Sequence, residues 1–307
     1  MQNKVDISVV IVSYNVKDLV LTCLRTLYAL LPSSLTIEII LVDNHSKDDT
    51  VNAVKAQFPQ VSIIANDHNA GFPAANNQAF KLAKGEYIFM LNPDTEFFDD
   101  SLNQLYQRIN SDKAVSLIAP KLLNTDKSRQ LSVWRFPRFW YLFCETHYLN
   151  MFLGGKNYAD KDLSKEFEAE CFSGAAILFK REVFDKIGML DETMFWIEDT
   201  EFCYRAHHAG LKLLYYPKAQ VIHHVGQSAK TNYNISISNQ IFNKIKFYKK
   251  HHNSFEWLMV VLLSFYHVII KLLVFGLLSP LNITYFRKAK AYWYTLPKVF
   301  NPPKGMN

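Results

Sequence analysis

Two hydrophobic patterns alternate along the first 120 residues. Short continuous apolar runs, rich in β-branched residues, occupy 7–13, 36–42, 61–65, 87–91 and 115–119. Such runs predict strands buried on both faces, as in a parallel sheet. Between them, helical spacing covers 18–30, 74–83 and 101–110, and another helix runs from the polar turn 43–50 to Phe58, with Pro59 as its stop. Repeated βα units predict an open, twisted, mainly parallel sheet with helices on both faces, a three-layer α/β fold. Ligands in such sheets bind outside the carboxyl ends of the strands.

The rhythm is lost between 120 and 170, where aromatic and basic residues mix and Gly154-Gly155 follows, so an insertion or flexible loop is expected. A strand at 172–179 and a helix at 182–187 come next. A helix at 198–209 is closed by Gly210, and short strands are expected at 211–216 and 219–223. The last quarter changes character. Residues 255–279 are nearly all apolar, with an uncharged run from Trp257 to Ile270 that ends at Lys271. Fourteen residues is short of the roughly 20 that cross hydrocarbon. Further on, 285–300 interleaves Tyr, Trp and Phe with Arg287, Lys288 and Lys290, the pattern of an interfacial helix. A helical pair lying on or re-entering a membrane is the leading expectation, ahead of a true span and of a soluble core helix.

Charge sharpens this division. The chain carries +6, yet residues 240–307 hold ten Lys/Arg against Glu256 alone, a net of +9 that leaves −3 on the rest. A slightly acidic body argues against a nucleic-acid-binding one, and a basic tail suits an anionic lipid surface. Cys23, Cys144, Cys171 and Cys203 are scattered without a Cys-x-x-Cys pair, so reduced, buried thiols are expected rather than disulfides or a zinc site. The apolar stretch 7–12 is too short for a secretory signal, and a cytoplasmic body is expected.

Candidate chemistry falls at strand ends and helix starts. Ser13-Tyr14-Asn15 follows the first strand; Asn15 suits a helix cap, and Tyr14 suits packing on a nucleobase. After the second strand, Ser46 and Asp49 fit a capping box, which leaves Asp43 free to accept hydrogen bonds from a base or ribose. In 69–77, Gly71 and Pro73 mark a turn and helix start where a phosphate can approach backbone amides; Asn76 either donates to it or faces solvent. Asn92-Pro93-Asp94-Thr95 is a turn by composition, or the place where Asp94 ligates a divalent cation on a diphosphate. In 195–201, Glu198 and Asp199 are favoured by the helix dipole, which also keeps Asp199 ionised and able to act as general base beside Trp196. Glu201 and Arg205 form an i,i+4 pair. His223 is either a polar loop residue or a neutral imidazole completing the shell begun by Asp94.

Taken together and in order, these clusters resemble glycosyltransferase family 2, the inverting enzymes with a GT-A fold. The resemblance runs from Ile7 to Ser228 through Val-Ser-Tyr-Asn (12–15), Asp-Asn-x-Ser-x-Asp-x-Thr (43–50), Asn-x-Gly-Phe (69–72), Asn-Pro-Asp-Thr (92–95), Phe-Asp-x-x-Gly (184–188), Glu-Asp (198–199) and His-x-x-Gly-x-Ser (223–228). Arg135-Phe136-Pro137 and Phe172-Ser173-Gly174-Ala175 look like its rhamnosyltransferase-type branch. The resemblance implies a GT-A domain over 1–240, with a nucleotide-binding half (1–120) and an acceptor-binding half (121–240), and a membrane-associating tail over 241–307. It implies a nucleotide-sugar donor, dTDP-rhamnose or a UDP-sugar, held by Ser13, Tyr14, Asn15 and Asp43, with Asn76 and Asp94 at the diphosphate. Asp94 and His223 would hold Mg²⁺ or Mn²⁺, Asp199 would take the acceptor's proton, and Trp196, Glu198 and Gly174 would face a saccharide or lipid-linked saccharide acceptor. The enzyme would serve cell-surface polysaccharide synthesis at the inner face of the plasma membrane.

Asn92 stands where many GT-A enzymes carry the first carboxylate of Asp-x-Asp, and Glu201 stands where Asp is usual. Processive synthases of the family carry Gln-x-x-Arg-Trp after the base; Gln130-Leu131-Ser132-Val133-Trp134 lacks the Arg and precedes Asp199, which favours transfer of one sugar. A sugar-phosphate nucleotidyltransferase would need a Gly-rich loop after the first strand, which Ser13-Tyr14-Asn15-Val16-Lys17 does not supply. A non-catalytic sugar-binding relative is the other alternative, weighed against by Asp94 and Asp199 standing together.

Overall fold

The computed structural model describes residues 4–147, 149, 157–158, 160–224 and 233–300. They divide into two compact units, each discontinuous in sequence. The first is Met1–Arg135, Asp160–Glu192 and Glu198–Val225; the second is Phe136–Ala159, Thr193–Ile197 and Gly226–Asn307.

The first unit opens with β1 (Ile7–Ser13), α1 (Lys17–Ala29), β2 (Ile37–Asp43), α2 (Thr50–Gln57), β3 (Ser62–Ala65), α3 (Phe72–Leu82) and β4 (Tyr87–Leu91). Then come β5 (Thr95–Glu96), α4 (Ser101–Ser111), β6 (Val115–Leu123) and β7 (Val133–Trp134). After α5 (Phe139–Thr146), which lies in the second unit, follow β8 (Phe167–Glu168), β9 (Cys171–Phe172), β10 (Ala176–Lys180), α6 (Val183–Ile187), α7 (Glu198–His208) and β11 (Lys212–His223). The main sheet runs β3-β2-β1-β4-β10-β6-β11-β5, with β8 beside β11. Neighbours from β3 to β4 are parallel, whereas β10 is antiparallel to both β4 and β6. This mixed, mainly parallel sheet is what the apolar runs predict, and the reason is direct. Every residue of β1 is buried, which a strand achieves only with layers on both faces. On α1 the buried set Val20, Leu21, Cys23, Leu24 and Leu27 repeats at helical spacing, so one stripe meets the sheet.

Several local expectations need correction. The stretch at 120–170 holds β7, α5 and β8 rather than irregular loop alone. The run at 172–179 is two strands, because Phe172 pairs with Val133 in a separate two-stranded sheet while Ala176 pairs with Leu91 in the main one. Conversely, 211–216 and 219–223 are one strand, β11, with a register shift between Tyr216 and Gln220. Pro217 lies in that shift, where its missing N–H costs no ladder bond. Gly210 closes α7 as expected, with φ +74.

The second unit adds α8 (Tyr233–His251), α9 (Ser254–Leu278) and α10 (Ile283–Thr295). Asn253 caps α9 by accepting from the Glu256 N–H, and Asn282 caps α10 by accepting from the Thr284 N–H. Helix α9 runs through Lys271 without a break, so the charge that divides the apolar run in the sequence does not divide the helix. Its inner face buries Val260, Val261, Ser264, His267, Val268 and Lys271, with His267 Nδ1 3.0 Å from Thr146 Oγ1 of α5. Phe275 stacks on Tyr285 and Tyr292 of α10, and Ser238 of α8 bonds Thr295. On the outer face Phe255, Leu258, Leu262, Leu273 and Leu277 are exposed. The helix is long and apolar enough to cross a membrane, with 33% of its most apolar window buried.

Candidate active site

The loops after β1 and β2 are laced to each other. Asp43, 3% exposed, accepts from the Ser13 hydroxyl (3.0 Å) and from the Ser46 N–H (2.9 Å). Asn15 donates its N–H to Ser46 Oγ (2.9 Å), and its side-chain oxygen accepts from the Lys47 N–H (2.7 Å). Asn15 therefore does not cap α1, which starts after Val16; it sits at φ +54 and bridges two loops. Nor do Ser46 and Asp49 form a capping box. Asp49 is at the N-cap in the left-handed region without a capping bond, and Ser46 is taken by Asn15. The lacing leaves Tyr14 46% exposed at the carboxyl end of β1.

Asn44 fastens the next loop. Its side-chain oxygen accepts from Asn66 and from the Ala70 N–H, and its Nδ2 donates to Asn69. Gly71 follows at φ +85 and begins α3 with Pro73 in the first turn, as its composition predicts. Asn76 lies in α3 and does not face solvent: it is buried, and Nδ2 donates to the Phe72 carbonyl (2.9 Å).

Asp94 and His223, 129 positions apart, meet because β5 pairs antiparallel with β11, with His223 opposite Thr95. His223 Nε2 lies 3.2 Å from Asp94 Oδ1, both side chains being mostly buried. The loop that carries Asp94 is clamped. The Asn92 N–H donates to the Ala175 carbonyl, Thr95 Oγ1 donates to the Asn92 carbonyl, and the His224 N–H donates to the Asp94 carbonyl, each at 2.8 Å. Burial pushes the Cys23 thiol up to about 12, so it stays protonated beneath this loop, 3.3 Å from Thr95 Oγ1. All four cysteines are buried and unbridged, as expected.

Asp199 opens α7 and is held from both sides. Its Oδ2 accepts from the Gly174 N–H (2.9 Å), and its Oδ1 accepts from its neighbour Thr200's N–H (2.6 Å) and hydroxyl (3.2 Å). Thr200 Oγ1 in turn receives Trp134 Nε1–H at 3.3 Å. A Cβ on residue 174 would lie 3.3 Å from Asp199 Cβ, so glycine makes this close approach possible. Ala175, which binds the Asp94 loop, directly follows Gly174, which binds Asp199. Two carboxylates from distant segments are thus tied to adjacent residues at the start of β10. Glu198 is half-buried on the same helix start. Trp196 lies in the second unit, at φ +79 and 36% exposed, edge-on to Phe195. Gly226 and Ser228 of the motif at 223–228 lie outside the described residues.

The donor set around Asp94 suits a hard divalent cation that draws most ligands from a diphosphate. Among the described residues no group of three His, Cys, Asp or Glu side chains forms a complete cage. Two ligands at right angles and about 2.1 Å from a metal lie about 3.0 Å apart, close to the observed Nε2–Oδ1 separation. Beside them the buried Asn92 Oδ1 has no hydrogen-bond partner, an oxygen left over for a cation or its water. Sequence reasoning gave no role to Gln130, Asn44 or Thr200; only the fold shows that their side chains hold His223, the 66–70 loop and Asp199.

Comparison with known proteins identifies the family and the fold. Residues 8–188 match the family model described as glycosyl transferase family 2. A poly(ribitol-phosphate) beta-glucosyltransferase of Bacillus spizizenii is 38% identical over 104 residues, which is 33% of this chain and 16% of that protein. An N-acetylglucosaminyl-diphospho-decaprenol L-rhamnosyltransferase of Mycobacterium tuberculosis is 24% identical over 220 residues, 62% of this chain and 68% of its own. Among solved structures, the mannosyltransferase PcManGT from Pyrobaculum calidifontis, in complex with GDP-Man and Mn²⁺, superposes with a TM-score of 0.61 at 15% identity, covering 98% of this chain and 88% of that one. With a family model matched over more than half its length and a mixed sheet shared with GT-A structures, the chain belongs to glycosyl transferase family 2 and has the GT-A fold.

Proposed function

We propose that the protein is an inverting glycosyltransferase. It moves one sugar from a nucleotide-diphosphate donor to a hydroxyl of a lipid-linked saccharide in cell-surface polysaccharide synthesis. The observation that carries this reading is the tethering of Asp94 with His223, and of Asp199, to the adjacent residues Ala175 and Gly174. One carboxylate has a nitrogen ligand and an unused amide oxygen beside it, which suits a metal-bound diphosphate. The other is oriented by backbone donors, which suits a base.

In this reading Tyr14 packs on the base, and Ser13, Asn15 and Asp43 shape the nucleoside side of the site. Asn76 stands near the diphosphate from within α3, with one N–H of its amide given to the Phe72 carbonyl. Asp94 and His223 would hold the cation, Mg²⁺ or Mn²⁺, which supplies charge stabilisation for the departing diphosphate. The neighbour PcManGT carries Mn²⁺ with a nucleotide sugar, which supports that choice. Asp199 takes the proton from the acceptor hydroxyl as it attacks the anomeric carbon from the face opposite the diphosphate. One displacement inverts the configuration. Gly174 acts by holding Asp199, and Trp196 and Glu198 serve the acceptor. The name of the mycobacterial relative specifies a diphospho-decaprenol, which supports a lipid-linked acceptor and, with the Arg135-Phe136-Pro137 motif, a rhamnosyl donor. The exposed apolar face of α9 together with the +9 tail supports attachment to the inner face of the plasma membrane, with the body in the cytoplasm.

The test is Asp199→Asn. Transfer from the best of a nucleotide-sugar panel should fall at least about 10³-fold, more than the 10²–10⁴-fold range of general base catalysis allows at its low end. Donor affinity by calorimetry should stay within a factor of two. Wild-type turnover in this variant would remove Asp199 as the base.

A further inference from the structure

Gln130 grips His223 twice. Its Oε1 lies 2.7 Å from His223 Nδ1, and its Nε2 donates to the carbonyl oxygen of the same residue at 3.0 Å. The second contact identifies the amide atoms, because a backbone carbonyl only accepts. A further link agrees. Gln130 Nε2 also donates to Asn124 Oδ1 (3.0 Å), Asn124 Nδ2 donates to Ser128 Oγ (2.9 Å), and the Ser128 hydroxyl donates to Asp126 Oδ1 (2.5 Å). A carboxylate at the far end makes every donor in the chain point away from His223. Gln130 therefore meets the imidazole with an oxygen, and Nδ1 must carry a proton.

We propose that Gln130 is a positioning residue that holds His223 in the Nδ1–H form and so leaves Nε2 as the atom facing Asp94. The consequence for a cation rests on the reading above. Nε2 can offer its lone pair to a metal only when the ring proton sits on Nδ1. The other neutral tautomer would set the Nδ1 lone pair against Gln130 Oε1 and place a proton where the metal must go. Two further contacts fit the assignment. Asn92 Nδ2 approaches Nε2 at 3.4 Å, as a weak donor does, and Asp94 Oδ1 lies 3.2 Å away. A metal placed between those two atoms would leave the ring proton on Nδ1, so Gln130 need not move when one binds.

The experiment uses the full-length protein with ¹⁵N-labelled histidine, metal-free at pH 8, with His223 assigned by loss of its signals in His223→Gln. Long-range ¹H–¹⁵N spectra of the wild type should show a protonated Nδ1 and a bare Nε2. In Gln130→Leu the Nε2–H tautomer should become the major form. Gln130→Glu keeps an acceptor for Nδ1–H and should keep the wild-type pattern, and thermal melts of both variants check folding. Mn²⁺ titrated by EPR in the presence of a nucleoside diphosphate should bind Gln130→Leu roughly 10–100-fold more weakly than wild type or Gln130→Glu. An Nε2–H tautomer in the wild type, or an unchanged tautomer in Gln130→Leu, overturns the positioning role. Because the tautomer is read without metal, failure of the wild type to bind Mn²⁺ would overturn the cation site alone.

Discussion

Replacing Gly174 by alanine separates the orientation of Asp199 from the stability of the fold. The new methyl carbon would sit 3.3 Å from Asp199 Cβ, 3.5 Å from Met90 Cε and 3.6 Å from Asp199 Oδ2, so the carboxylate must give by a few tenths of an ångström. Gly174 is not in the left-handed region, so alanine can adopt its backbone. Crowding of this size costs about 1 kcal/mol, the low end for an overpacked site, and Gly→Ala at a compatible site returns about 0.4–1 kcal/mol through the unfolded state. The two nearly cancel, and Tm should stay within about 4 °C of wild type. Catalysis is less forgiving. A 1 Å misplacement costs about 10²-fold, so a displacement of about 0.3–0.5 Å corresponds to a loss of about 4–10-fold in kcat. Initial rates at saturating donor and acceptor, paired with donor affinity by calorimetry, provide the assay. Donor affinity should not change, since the moved atoms belong to the base. An unchanged kcat, or a donor affinity that falls in step with kcat, would refute the reasoning that Gly174 acts by orienting Asp199.

Glu201 is fully buried and chelated by Arg205, which also donates to the carbonyls of Ile187 and Met189. Glu201→Gln should cost about 3 kcal/mol in urea unfolding, the low end for a broken buried pair because Arg205 keeps its carbonyl partners; a loss below about 1 kcal/mol would show that the carbonyls alone hold the arginine. Leu273 and Leu277 are 58% and 81% exposed on the outer face of α9. Changing both to Glu should lower flotation with anionic vesicles by at least about 100-fold, given about 1.5–3 kcal/mol for each leucine buried. Alkaline carbonate should release the wild-type protein from membranes, and retention in the pellet would favour a span over surface attachment.

Strand positions were legible because a strand covered on both faces is apolar at most positions, a pattern that survives without tertiary information. The runs at 7–13 and 87–91 coincide with β1 and β4 residue for residue. Capping was misread for the converse reason. Asn15 and Ser46 are short polar residues before helices, and the same side chains that can cap a helix can bridge two loops. Local spacing cannot choose between those uses, since the competing partner is about 30 positions away. The solvent-facing alternative for Asn76 fails for a related reason: an amide in a helix can bond the preceding turn and disappear into the core.

By itself the sequence determined the alternation of strands and helices, the placing of polar clusters at strand ends, and the contrast between an acidic body and a basic, apolar tail. These depend on periodicity and charge, which a chain carries in any conformation. Only the tertiary structure decided which clusters meet. The β5–β11 pairing brings Asp94 to His223, the turn at Gly174 and Ala175 ties Asp199 to the Asp94 loop, and the loop before β7 delivers Gln130 to the back of the imidazole. It also decided that α9 passes unbroken through Lys271 with one face covered and the other bare. Contacts between residues a hundred positions apart depend on sheet order and register, and those arise from the packing of the whole chain rather than from any window of it.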